Sequence, residues 1–187
     1  HFVSSTNSAV FTIVGNNEAP VITGGTNVTS YEDLPLIITD LTLTDTDVGT
    51  NIMELSIVAT NGLLTLDSTN GLTFITGTNG MNTNLVVEGT LTDLQNALDV
   101  LTYFPNTNYN GAEKITLSAD DNGHTGAGGA QTGSREISFT INALNDRPEF
   151  SLSHTGVTFD EDDTNLVQVT MTPAPVPDDE TNQVVTW

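Results

Sequence analysis

One phrase of this chain is written twice. Phe11-Thr12-Ile13 is followed, after three intervening residues, by Asn17-Glu18-Ala19-Pro20, and Phe139-Thr140-Ile141 is followed at the same interval by Asn145-Asp146-Arg147-Pro148. Asn17 and Asn145 stand 128 residues apart (145 − 17). A second pair of stretches, 28–33 (Val-Thr-Ser-Tyr-Glu-Asp) and 157–162 (Val-Thr-Phe-Asp-Glu-Asp), repeats the relation one residue out of step. That period is too long for a solenoid unit and is a natural length for a domain in a tandem array. The division it predicts is a last strand of a preceding unit at 1–16, a whole domain at 17–146, and the incomplete opening of a following unit at 147–187.

Within 17–146 the pattern is that of strands. Val, Ile, Leu or Phe alternate with Thr or Ser near 36–43, 53–59, 63–66, 84–88, 114–119 and 135–143, the period of a half-buried sheet. Asn-Gly pairs at 61–62, 70–71, 79–80, 110–111 and 122–123 supply tight turns. One segment breaks the pattern: Leu91, Leu94, Leu98 and Leu101 recur at helical spacing, with Thr90 or Thr92 placed to cap the first turn. The expectation is an all-β sandwich with one short helix, about 91–101, lying over one end of the sheets.

Charge narrows the function. The 187 residues hold 24 acidic and 3 basic side chains, a formal net charge of −21. Such a surface repels nucleic acid and anionic membranes, and it opposes a compact state unless cations neutralise it. Cysteine is absent, so no disulfide or thiol chemistry is available. No nucleophile elbow or phosphate loop occurs, and His124 and His154 have no partner at useful spacing, so nothing proposes an active site.

The acidic residues are also patterned. The strand ending at Leu43 runs into Asp45-Thr46-Asp47-Val48-Gly49-Thr50-Asn51. Two carboxylates about 4 Å apart repel by roughly 4 kcal/mol at an effective dielectric of 20. A hard cation removes that penalty, and alternating Asp in a Gly-containing loop is a common way of collecting oxygen ligands for calcium.

Four motifs, in order, resemble those of cadherin repeats: Tyr31-Glu32-Asp33-Leu34-Pro35, the Asp45-x-Asp47-x-Gly49-x-Asn51 loop, Ala119-Asp120-Asp121-Asn122-Gly123, and Asn145-Asp146-Arg147-Pro148-Glu149-Phe150. The stretch 89–98 (Gly-Thr-Leu-Thr-Asp-Leu-Gln-Asn-Ala-Leu), then Leu101-Thr102-Tyr103 and Asn108-Tyr109-Asn110-Gly111, resembles the cadherin-like repeats of large bacterial surface adhesins. The resemblance covers most of residues 20–150. It implies a Greek-key sandwich joined end to end with its neighbours, with Ca2+ at the joints. For the first joint the implied ligands are Glu18, Asp45, Asp47 and Asp120 or Asp121; for the second they are Glu32, Asn145 and Asp146, with Asp178, Asp179 or Glu180 from the following unit.

The sequence also departs from that pattern. No clear counterpart of the L-D-R-E segment is present, the linker reads Asn-Asp in place of Asp-Asn, and the loop after Met171 is not D-x-D-x-G. The function implied is a non-enzymatic extender of an extracellular, cell-surface adhesin, with neighbouring repeats of the same chain as its partners. Two alternatives come from other classes. The glycine-bearing stretch 122–133 reads as a hairpin tip or, alternatively, as a loop recognising glycan or protein. Residues 1–14 and 147–187 offer edge strands for homophilic or filament contacts.

Overall fold

The structure is a computed structural model, and it describes residues 15–147, 149–154, 156, 158, 161–162 and 168–174. Strands β1 (Val21–Thr23), β2 (Ser30–Tyr31), β3 (Leu36–Ile38), β4 (Thr42–Thr44), β5 (Ile52–Val58), β6 (Gly62–Leu66), β7 (Thr73–Thr76) and β8 (Asn84–Thr90) lead into helix α1 (Leu91–Leu98). There follow β9 (Leu101–Pro105), β10 (Gly111–Asp120), β11 (Thr132–Asn142), β12 (Phe150–Leu152) and β13 (Met171–Pro173). One sheet runs β2-β11-β10-β5-β8-β7, a second β3-β9-β6, and β1 pairs with β4. The result is an all-β sandwich with one helix.

Alternation explains the layers. Met53, Leu55 and Ile57 of β5, Leu85 and Val87 of β8, and Ile115, Leu117 and Ala119 of β10 all turn inward and are fully buried. They meet Leu64 and Leu66 of β6 and Leu101 and Tyr103 of β9 from the second sheet, all in one core. The strand expected at 36–43 is broken in two. Between β3 and β4 the Asp40 carboxylate accepts Gly25 N–H at 2.9 Å, and that bond, ahead of the weaker one from Thr26, holds its carboxyl below the usual range.

The helix ends sooner than its leucine spacing predicts. Thr90 caps it: its hydroxyl oxygen accepts Asp93 N–H at 3.2 Å and its O–H donates to Asp93 Oδ2 at 2.6 Å. Leu94, Ala97 and Leu98 are buried, whereas Leu101 is already the first residue of β9. Gln95 fastens the helix to the second half of the broken strand, its Oε1 accepting Leu43 N–H at 2.7 Å and its Nε2 donating to Leu41 O at 3.2 Å. A side-chain amide thus takes the place of a neighbouring strand.

The Asn-Gly pairs are not all turns of one kind. Both residues take positive φ at Asn122-Gly123 (57° and 68°). Gly62 instead begins a strand, where a Cβ would lie 2.4 Å from the Tyr103 ring. Under that contact is a buried polar cluster. Glu113, 6% exposed, accepts Asn61 N–H at 2.6 Å, Thr60 N–H at 3.3 Å, Lys114 N–H at 2.8 Å and the Tyr103 hydroxyl at 2.9 Å. Burial first, then the adjoining carboxylate, pushes the Tyr103 phenol far above its ordinary range, which keeps it a donor.

Beyond the sandwich, β12 and β13 pair antiparallel with Phe150 opposite Pro173 and Leu152 opposite Met171. β1 and β4 pair with Val21 opposite Thr44 and Thr23 opposite Thr42. Every residue of the second ladder is numbered 129 above its counterpart in the first (150 against 21, 173 against 44). The predicted division at 17–146 places one such ladder on each side of its boundary.

A glutamine at 113 keeps one acceptor oxygen and sets an NH2 group against the two donors that faced the other. Glu113→Gln is expected to lower unfolding stability by about 1–3 kcal/mol in urea titrations. Tyr103→Phe is expected to be non-additive with it in a double-mutant cycle, because both act on the same hydrogen bond.

Candidate functional site

The D-x-D loop leaves β4 at one end of the sandwich, and its first carboxylate folds it. Asp45 Oδ1 accepts Asp47 N–H at 3.0 Å and Val48 N–H at 2.8 Å, a local turn closed by a side chain. Asp47 Oδ2 then accepts Glu18 N–H at 3.0 Å, and Thr46 Oγ1 donates to Glu18 Oε2 at 2.8 Å. The incoming segment is therefore stitched to the loop by both its backbone and its side chain.

A second acidic element arrives from β10. Its buried positions fall on odd numbers from Glu113 through Ala119, and the parity continues to Asp121, which is 1% exposed. Asp120 belongs to the other face, opposite Glu54 in the ladder, with its oxygens taken by Asn122 N–H and the Thr132 hydroxyl. Asp121 Oδ1 accepts Gly123 N–H at 2.7 Å and Gln131 N–H at 2.9 Å, and its Oδ2 accepts Asn17 Nδ2 at 2.5 Å. Burial pushes the Asp121 carboxyl up, but the Gln131, Gly123 and Asn17 donors and the nearby His124 together hold it below its usual value.

Asn17, Glu18, Asp45, Asp47 and Asp121 thus form one connected network at one end. Three of its oxygens are buried without a hydrogen-bond partner: Asn17 Oδ1, Asp45 Oδ2 and Asp47 Oδ1. Burial, with the Asp47 carboxylate adding to it, raises the Asp45 carboxyl above its ordinary value despite the two N–H donors. This donor set, two carboxylates and an amide oxygen, is all hard oxygen and suits calcium. Among the described residues no three His, Cys, Asp or Glu side chains gather into one ready-made metal cluster.

The other implied ligands lie elsewhere. Glu32 is near the far end of β10, whose ten residues at about 3.3 Å each separate the two ends by roughly 30 Å. Its carboxylate is 1% exposed; Oε1 accepts Leu144 N–H at 2.7 Å and Oε2 accepts Asn110 Nδ2 at 3.2 Å. Asn145 and Asp146 follow directly in the outgoing segment, where Asn145 Nδ2 donates to Asp146 O at 3.0 Å. Asp178 and Asp179 lie outside the described residues. The ladder register puts Ala174 in the place of Asp45, and the sequence there has no D-x-D.

Asn17 was open to sequence reasoning through its counterpart Asn145, yet only the latter is among the implied ligands. The glycine-bearing stretch 122–133 is neither free nor a bare tip, because Ala127 pairs with Asn16 of the incoming segment. Comparison with known proteins returns nothing: no family model, curated protein or solved structure matches the chain.

The half-buried Asp45 and the buried Asp121 respond to pH with opposite sign. Asp45 has a raised folded pKa, so its contribution is present below the unfolded value and is lost as pH rises through the folded one. Asp121 has a lowered folded pKa, so its contribution is present above the unfolded value and is lost as pH falls through the folded one. In chelator at pH 7, Asp45→Asn is expected to leave stability unchanged or raise it by under about 1 kcal/mol. Asp121→Asn is expected to cost about 1–3 kcal/mol at pH 7, a loss that shrinks towards pH 3, read from urea midpoints.

Proposed function

We propose that this chain is a piece of an extracellular, non-enzymatic extender, a tandem array of sandwich repeats stiffened by Ca2+ at the joints. The observation that carries the reading is the set of buried, partnerless oxygens on Asn17, Asp45 and Asp47, where the incoming segment crosses the end of the sandwich. An orphaned buried oxygen costs about 1–3 kcal/mol, and more when charged, a cost that a bound cation would offset. Asn17, Asp45 and Asp47 would hold the ion, with Glu18 and Asp121 alongside. The ion would supply the positive charge that lets both aspartates stay ionised.

Two further observations support the array. The β12–β13 ladder repeats β1–β4 at a constant offset of 129, close to the spacing of the duplicated phrase. The segments entering and leaving the sandwich are held at opposite ends, Glu18 by Asp47 and Leu144 by Glu32, the arrangement a through-going rod needs. Direct recognition by the 122–133 loop is the weaker reading, since that loop is engaged by Gly15, Asn16 and Asn17.

Sites of extracellular type bind calcium with Kd of about 10⁻⁴ to 10⁻³ M. At 100 times Kd the folded state gains about 2.7 kcal/mol, which for a chain of this size raises Tm by roughly 5–10 °C. Calorimetric titration is expected to give that affinity, and scanning calorimetry that shift, reversed by EGTA. An unchanged Tm in saturating calcium, with no heat of binding, defeats the proposal.

A further inference from the structure

We infer that residues 123–130 are a latch, which seats the entering segment 15–17 on the sandwich before any ion binds. The inference deepens the joint reading and rests on it only in treating 15–17 as chain arriving from a neighbouring unit.

The contacts are specific. Asn17 N–H donates to Ala127 O at 2.9 Å and Ala127 N–H donates to Gly15 O at 2.8 Å, a short parallel bridge between linker and loop. The Asn17 side chain crosses the same gap, its Nδ2 donating to Gly129 O at 2.8 Å and to Asp121. Asp121 in turn closes the loop from both sides through Gly123 N–H and Gln131 N–H. None of these bonds involves the partnerless oxygens of Asn17, Asp45 and Asp47. The linker is thus gripped by one set of atoms, and a different set is left for the cation.

The glycines have a steric purpose here. A Cβ on Gly126 would lie 2.5 Å from Asn17 N and 2.7 Å from Asn16 C, both backbone atoms with nowhere to move, and its φ of +85° already disfavours a side chain. A Cβ on Gly123 would lie 2.7 Å from Ala130 N. Gly126 is the position where the backbone of segment 15–17 leaves no room for a side chain, and Gly123 is the position where the loop's own backbone does. An exposed, mobile tip has no such requirement.

The latch is separable from calcium by experiment. Amide hydrogen exchange of the full chain in EGTA is expected to protect Asn17 and Ala127 well above the exposed loop amides. Gly126→Ala is expected to cut that protection at least about tenfold, while Ile115 and Leu117 in the core stay unchanged. Should Gly126→Ala also open the core strands, Asn17→Ala, which deletes only the side-chain bonds, is expected to cut Ala127 protection instead. Protection of Asn17 and Ala127 that appears only with calcium overturns the inference, as does protection that survives the substitution. The two readings fail separately: absence of calcium heat sinks the joint, whereas the exchange test is read with no calcium present.

Discussion

The arrangement at the acidic end depends on the single carboxylate of Asp121. Buried side-chain charge is tolerated only when donors surround it, and Asp121 has three, from Gly123, Gln131 and Asn17. Those donors belong to both ends of one loop and to the entering segment, so satisfying one charge fixes three pieces of chain at once. With Asn17 fixed, Glu18 falls within reach of Asp47 and Thr46. The D-x-D loop and the β10–β11 loop, more than 70 residues apart in sequence, are joined through Asn17 and Glu18.

A similar economy holds in the core. Glu113 lies on the same inward parity of β10 as Asp121 and binds the 60–61 turn to Tyr103. Both residues extend an apolar alternation with an acid: Glu113 before Ile115, Leu117 and Ala119, and Asp121 after them. A strand that is apolar on one face and carries an acid at each end of that face brings two charges inside. Each is stable only because a turn delivers backbone N–H groups to it.

Much of this was legible in the sequence, in proportion to how local the cause is. The alternation in β5, β8, β10 and β11 and the Thr90 cap are written in consecutive residues and appear in the structure. The boundary of α1 was not legible, because Leu101 continues the helical spacing of Leu94 and Leu98 and is equally suited to the first inward position of β9. The split of β3 from β4 escaped because its cause, Asp40 binding Gly25, reaches back 15 residues. β7 escaped because its burial pattern is mostly exposed. The choice between Asp120 and Asp121 was legible in principle from strand parity, which separates adjacent residues onto opposite faces. Asn17 needed the duplicated phrase to be read in both directions.

The two ends of the sandwich differ in what they leave unsatisfied. At the far end each oxygen of Glu32 meets a donor, Leu144 N–H or Asn110 Nδ2, so this carboxylate can hold the outgoing segment without an ion. At the near end Asp45 and Asp47 each have one oxygen bonded and one buried and partnerless, and the raised Asp45 carboxyl reflects burial compounded by its neighbour's charge. The unsatisfied oxygens are therefore concentrated where segment 15–18 meets the D-x-D loop. On the proposed reading an ion there would relieve a repulsion already created by the fold, whereas at Glu32 it would have to compete with hydrogen bonds already made. In the register of the second ladder Asp45 corresponds to Ala174, which carries no carboxylate to create the same repulsion.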